Sequence, residues 1–393
     1  MKSTQIKPKI IAFYLPQFHR IPENDLWWGE GFSEWTNTRK AKPLFPGHYQ
    51  PREPQGDHYY DLINPKTKSW QAELARHFGI YGFCYYHYWF KGKLLLETPL
   101  QQMLESGKPD FPFCLSWANE SWTRGWDGAD HEVLMPQQYG NKDDWKRHFE
   151  YLLRAFKDPR YIRVNNKPLF AIYRPATIEH CTAMMNYWQQ LARQHGLKGI
   201  HFVETLSGFP RKPMDGFQAS LQFEPLYTTT HDLPENAFSE IVIRESSMET
   251  DEKKLRLYSY DNIWNRIIAR EIPSSGKPSY LGAFIDWDNS PRKGENASFI
   301  YNGATPAKFG AYLQQQLGRA KRSGTEFVFI NAWNEWAEGT YLEPDKIFGL
   351  QYLEAVKHAL ESESVWPLNR TSQPQKRRPK MRTRKTPLSN KHK

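Results

Sequence analysis

Phe327-Val328-Phe329-Ile330-Asn331-Ala332-Trp333-Asn334-Glu335-Trp336-Ala337-Glu338-Gly339-Thr340 begins as an uncharged apolar run of strand length and ends in a cluster of tryptophans, asparagines and glutamates. Buried carboxylates cost several kcal/mol unless they are paired or hydrogen-bonded, so an acid pair at the end of a core strand signals a task. Glu335 and Glu338 are three residues apart. If the backbone turns helically after Trp333, both acids share one face, with Cβ atoms roughly 5–6 Å apart. That spacing suits work on a glycosidic bond with retention, where the two carboxyl groups lie about 5–5.5 Å apart. The plainer reading is a solvated helix start, where the dipole favours acids. Trp333 and Trp336 beside the acids argue against it, because a plain cap has no use for them. As aromatic walls they would desolvate one acid and raise its pKa, while Asn334 donates to the other.

Outward from this stretch the same pattern recurs: a short apolar run, a loop, then a helical stripe. The apolar runs are Ile10–Leu15, Gly82–Tyr86, Phe111–Trp117, Pro168–Tyr173, Gly199–Val203, residues 216–223, Tyr280–Ile285 and Phe327–Ile330. Helical stripes carry Trp70, Leu74 and Phe78; residues 98–106 and 142–156; Cys181, Met184, Trp188 and Leu191; residues 262–269; Phe309, Leu313 and Leu317; and Leu353, Val356 and Leu360. Eight strands alternating with about eight helices fit a closed parallel barrel, and 393 residues suit one barrel with long loops. The expectation is an α/β fold, a single (β/α)8 TIM barrel over residues 1–365, with a disordered basic tail over 366–393. Residues 16–63 form a long loop, which in a compact domain is usually functional. Residues 227–257 read as a polar, patternless excursion.

Polar and aromatic groups gather at the carboxyl ends of these strands, which in a barrel form one mouth where active sites are built. The candidates are Tyr14 and His19 after the first strand, Tyr86 and His87 in the second, and Trp117, Asn119 and Glu120 after the third. Glu204 and Glu224 end the fifth and sixth. Asp286 and Asp288 follow the seventh, read as residues that orient hydroxyls, and Trp333, Asn334, Glu335, Trp336 and Glu338 follow the eighth. Glu34, Trp35 and Asn37 in the long loop are expected to form one wall of the cleft. Asn119-Glu120 is the strongest rival for the acid role.

Aromatics make up 15% of the chain, including 15 Trp and 21 Tyr, as sugar clefts require, because the apolar faces of sugar rings pack on aromatic planes. The formal charge of +10 suggests nucleic acid, but residues 370–393 hold ten Lys or Arg and no acid. That leaves 43 of each sign in residues 1–369, so no specific nucleic-acid partner is expected. The tail could touch anionic membrane, each basic residue contributing about 1 kcal/mol near the surface. Cys84, Cys114 and Cys181 sit in apolar settings and read as reduced core residues. No signal-peptide pattern or membrane-length apolar stretch is present, which predicts a soluble cytoplasmic chain, peripheral to the inner membrane if the tail binds it. No metal is expected, since no His-Glu-x-x-His or His/Cys cluster occurs and Asp286-Trp287-Asp288 alone is a weak divalent-ion signal. No Gly-rich phosphate loop follows any strand, so no cofactor is expected.

Five motifs together carry a resemblance: Phe13-Tyr14-Leu15-Pro16-Gln17-Phe18-His19, Gly31-Phe32-Ser33-Glu34-Trp35-Thr36-Asn37, Trp117-Ala118-Asn119-Glu120, Trp287-Asp288-Asn289 and Asn334-Glu335-Trp336-Ala337-Glu338-Gly339. From about residue 9 to 363 the chain resembles the WbsX-type proteins of bacterial O-antigen and capsular polysaccharide synthesis. Those are labelled glycosyltransferases and are similar to glycoside hydrolase family 99. The resemblance implies a (β/α)8 barrel acting with retention and without a metal on an oligosaccharide or lipid-linked glycan. It also implies roles: Glu335 draws a proton from the sugar 2-hydroxyl, whose oxygen attacks the anomeric carbon. Glu338 protonates the departing oxygen and then activates the acceptor. Ala337 departs from the family 99 pattern, which has His there, and this bears on substrate identity. Two other readings stay open: a glycosyltransferase using an activated donor, and a glycan-binding barrel without catalysis.

Overall fold

The computed structural model describes residues 7–125, 129–210, 214–244, 252–272 and 276–361. Eight parallel strands close into a ring: β1 (Lys9–Tyr14), β2 (Ile80–Phe90), β3 (Phe113–Trp117), β4 (Lys167–Ile172), β5 (His201–Leu206), β6 (Ala219–Gln222), β7 (Ser279–Phe284) and β8 (Phe327–Asn331). Closure is made by β1, which pairs on one side with β2 (Phe13 opposite Cys84) and on the other with β8 (Ile11 opposite Phe329). The chain is thus an α/β barrel of the TIM type. Continuous apolar runs suit these strands because both faces are covered, one by the barrel interior and one by helices. Ile10, Ile11, Phe13, Val328, Phe329 and Ile330 are all buried, and each large apolar side chain so placed stabilises the fold by about 1.5–3 kcal/mol.

Outside the ring lie α1 (Pro65–His77), α2 (Thr98–Ser106), α3 (Lys142–Lys157), α4 (Cys181–Gln194), α5 (Tyr260–Ala269), α6 (Pro306–Ser323) and α7 (Gln351–Glu361). Their limits follow local chemistry. Asn64 caps α1 by accepting the Lys66 N–H, Thr305 caps α6 by accepting the Lys308 N–H, and Gly324 ends α6 at φ 70°. Cys84, Cys114 and Cys181 are buried free thiols.

Three features depart from the expected alternation. The described residues between β5 and β6 hold no helix, so the chain passes from one strand to the next through a loop. The polar stretch expected to be patternless forms a small sheet: Phe238–Arg244 runs antiparallel to Lys253–Ser259, which pairs in parallel with Phe299–Asn302. Its alternation was masked by charged residues on a sheet that is largely exposed, with only Leu255, Ala297 and Ile300 forming a buried cluster beneath. The long first loop contains two short helices, Pro22–Trp28 and Glu34–Lys40. The expected tail and the boundary at residue 365 lie outside the described residues. Among the described residues no helix is long and apolar enough to cross a membrane.

Candidate active site

The stretch after β8 is a small hairpin whose tip, Trp336–Glu338, is a single 3-10 turn, so the helical turn expected from the spacing is present only between the two acids. Asn334 pairs with Tyr341 and Glu335 with Thr340, and the turn Trp336–Glu338 closes through Gly339. Gly339 sits at φ 66°, and a Cβ there would lie 3.1 Å from atoms of Arg52 and Asp288, so glycine is needed on two counts. The hairpin is tied down at its root. The Asn334 amide accepts from the Leu15 N–H at 2.8 Å and donates to the Leu15 carbonyl at 3.0 Å, locking it to the end of β1.

Both hairpin acids converge on one guanidinium. Arg292, on the short helix Ser290–Lys293 after β7, donates through Nη2 to Glu335 Oε2 at 3.2 Å, through Nη1 to Glu338, and through Nε to Glu34 Oε1 at 2.8 Å. Three carboxylates around one cation leave an excess of negative charge in a desolvated place, and a proton relieves it. Glu335 is the group pushed up: burial raises its carboxyl well above the ordinary range, Glu338 and Glu34 add to this, and Arg292 opposes it. The Glu335 side chain is only 6% exposed whereas that of Glu338 is 26% exposed. Burial alone would lower the Arg292 guanidinium, but Glu34, Glu338 and Glu335 outweigh it and hold it well above its usual value.

Glu335, Glu338 and Arg292 line a cavity of about 400 Å³, together with Tyr86, Tyr88, Tyr173, Trp287, Glu120, Gln17, Trp28 and Trp122. Glu120 pairs with Arg174 at 2.7 Å, and burial raises its carboxyl while Arg174 pulls it back. Of the residues singled out from sequence, the structure therefore brings Glu335, Glu338, Tyr86 and Glu120 to the cavity and sets Glu34 behind them through Arg292.

The others are spent on the frame. Asp286 takes the Arg52 guanidinium at 2.7 Å. Asp288 accepts from His48 at 2.8 Å and Gln50 at 2.6 Å, and its own N–H donates to the Glu338 carbonyl at 2.6 Å. Burial would push Asp288 up, yet His48, Arg52 and Gln50 hold it down to about 2. This pair bolts the first loop to the carboxyl end of β7 and braces the hairpin. Trp333 and Trp336, expected as cleft walls, are fully buried, and their indole N–H groups donate to Glu343. Trp35 donates to the Tyr60 carbonyl and packs against Trp336 with ring centroids 5.5 Å apart. Asn37 is buried in the same short helix. The Tyr14 hydroxyl donates to Gln71 of α1, between the ring and that helix. The His87 ring meets His148 Nε2 to Nε2 at 2.8 Å, and burial lowers it to about 3. His19 is buried and lowered by that burial to about 4. Trp117 donates to the Trp89 carbonyl, and the Asn119 amide is engaged by the Arg174 backbone on both sides.

Arg292, Tyr88, Tyr173 and Trp287 were not among the sequence candidates for the site. Two signals were available. Tyr86 and Tyr88 have the same parity on β2, so a residue two places from a cleft residue faces the same way. Ser290-Pro291-Arg292 has a proline at the first turn of a short helix, a helix-start signal that places Arg292 close after the seventh strand.

The chain is thus a parallel eight-stranded barrel with an acid-lined aromatic cleft at the carboxyl ends of its strands. The chain belongs to the WbsX glycosyltransferase family, whose model matches residues 10–356. It is 39% identical over 360 residues to the uncharacterized protein WxcX of Xanthomonas campestris pv. campestris, an alignment covering 89% of this chain and 49% of WxcX. The chain therefore spans about half the length of the curated relatives it matches. Among solved structures it is similar to the GH99 endo-alpha-mannosidase from Bacteroides thetaiotaomicron, with TM-score 0.52, 13% identity, and 89% and 96% of the two chains covered. It is also similar to a structure described as a glycoside hydrolase-like protein, with TM-score 0.57, 13% identity, and 91% and 95% covered. At that identity these likenesses concern the fold.

Proposed function

We propose that the protein cleaves or transfers at an α-glycosidic bond of a mannose-like sugar, using Glu335 and Glu338, in the assembly of bacterial surface polysaccharide. The observation that carries this reading is the convergence of two unequally exposed carboxylates on Arg292 at an aromatic cavity. Tyr86, Tyr88, Tyr173 and Trp287 offer faces for sugar rings. The resemblance makes Glu335 the base that draws on the 2-hydroxyl as that oxygen attacks the anomeric carbon; burial favours its neutral form, so it acts as the base only as the carboxylate held by Arg292. Glu338, the more open of the two, suits the group that gives its proton to the leaving oxygen and then takes one from the acceptor. Arg292 fixes both carboxylates, so neither must be ordered when a sugar arrives. The family's name favours a second reading, transfer from an activated sugar donor.

Both readings are separated by incubating the purified chain with α-linked mannose- and rhamnose-configured oligosaccharides, with and without nucleotide sugars and divalent metal. Turnover of the oligosaccharide alone is expected, with a loss of about 10²–10⁴-fold in Glu335→Gln and Glu338→Gln at retained fold. Turnover only in the presence of a nucleotide sugar would establish the second reading. Full activity in both variants would remove the pair from the chemistry.

A further inference from the structure

Five residues beyond the acid pair, the chain buries another carboxylate that touches no cation among the described residues. Glu343 is 3% exposed, and its four partners are all neutral donors. Its Oε1 accepts from Gln71 Nε2 at 2.7 Å and Trp333 Nε1 at 2.9 Å; its Oε2 accepts from the Tyr60 hydroxyl at 2.7 Å and Trp336 Nε1 at 2.7 Å. An ionised carboxylate can satisfy four donors, whereas a carboxylic acid would turn its own O–H toward one of them and lose that bond. Two of the donors are the tryptophans that flank Glu335, one on each side. The Glu343 N–H also approaches the Trp333 carbonyl at 3.3 Å, so the hairpin is closed onto this residue by backbone and side chain alike.

We propose that Glu343 is the positioning residue of the acid pair: as a carboxylate it draws in both indole N–H groups and thereby fixes the hairpin that presents Glu335 and Glu338 to Arg292. This rests on the glycosidic reading for its functional consequence, but its structural content stands without a substrate. Trp336 also stacks on Tyr341, with centroids 3.8 Å apart, and packs against Trp35, and the bond to Glu343 fixes the edge of its ring within that stack. The groups facing Glu343 are Tyr60, Gln71, Trp333 and Trp336, with the Tyr14 hydroxyl next behind on Gln71. Burial pushes the Glu343 carboxyl up to about 7 against the pull of these donors, so its ionised form is present at and above neutral pH.

Glu343→Gln keeps the shape and leaves one indole N–H facing an amide NH2. Its crystal structure is expected to show the hairpin displaced and the Glu338 contact to Arg292 opened; a hairpin superimposable on the wild type would overturn the proposal. With an oligosaccharide turned over by the wild type, kcat is expected to fall about 10–100-fold with KM within about threefold, as a misplacement of about 1 Å allows. A kcat within twofold of wild type would overturn the proposal. If Glu343→Gln does not fold, Trp336→Phe keeps the ring packing and deletes only the N–H, and the same two readouts apply. Full activity in Glu338→Gln would instead end the glycosidic reading, leaving the crystal structure to decide the positioning role.

Discussion

Arg292 carries more of this site than either acid does alone. Removing one partner from a buried ion cluster leaves uncompensated charge, which typically costs about 3–5 kcal/mol. Arg292→Leu should therefore destabilise the chain by about that amount in urea unfolding, and adding Glu34→Gln should recover part of it. A loss below about 1 kcal/mol would mean the three carboxylates do not depend on Arg292. Burial of the Glu343 carboxyl makes a pH-dependent contribution to stability. The unfolded chain releases this proton near 4.5 whereas the folded chain holds it to about 7, so the folded state binds more protons in between. Stability contributed by this group falls as pH rises through that window and is constant above it. Wild type should thus lose ground to Glu343→Gln by on the order of 1 kcal/mol per pH unit between about 4.5 and 7, measured by urea titrations at each pH.

At the scale of elements, the hairpin after β8 behaves as an insert clamped to its neighbours. Asn334 holds it to β1, and Asn334→Ala should cost about 1–3 kcal/mol by leaving the Leu15 N–H and carbonyl unpaired in a buried place. In β7, a Cβ on Gly282 would overlap the Gln222 carbonyl of β6, so Gly282→Ala must spread the two strands. Its thermal midpoint should drop well below that of a control substitution on the exposed sheet, such as Val242→Ala. These elements also explain what was legible in advance. Strands such as β1 and β8 were readable because burial on both faces demands unbroken apolar runs. The acid pair was readable because nothing in a plain strand end calls for glutamates beside tryptophans. Asp286, Asp288, Trp333 and Asn334 have the composition of a cleft but serve as its braces. A one-dimensional pattern cannot tell a polar group facing solvent from one facing His48, Arg52 or Glu343, which lie far away in the chain or across a turn. For Arg292 the sequence signalled a helix start but not its partners, which arrive from the first loop and from the hairpin after β8.

For the molecule as a whole, closure depends on β1, which lies between the strand that follows it and the last strand of the ring. A chain beginning at residue 15 would expose the paired edges of β2 and β8 and lose the anchor for Trp333, whose N–H donates to the Phe13 carbonyl at 2.7 Å. It should show no cooperative unfolding transition, by near-UV circular dichroism in urea, whereas a chain beginning at residue 7 should retain one. The ring brings residues from the first loop, β2 and the segments after β7 and β8 to one mouth, where the proposed chemistry of the acid pair would take place. The most direct measurement is a crystal of Glu338→Gln soaked with an α-linked mannose-configured disaccharide. The account predicts a sugar ring against the tyrosines of the cavity, its glycosidic oxygen within hydrogen-bond reach of residue 338 and its 2-hydroxyl at Glu335. A disaccharide bound away from both residues would contradict it.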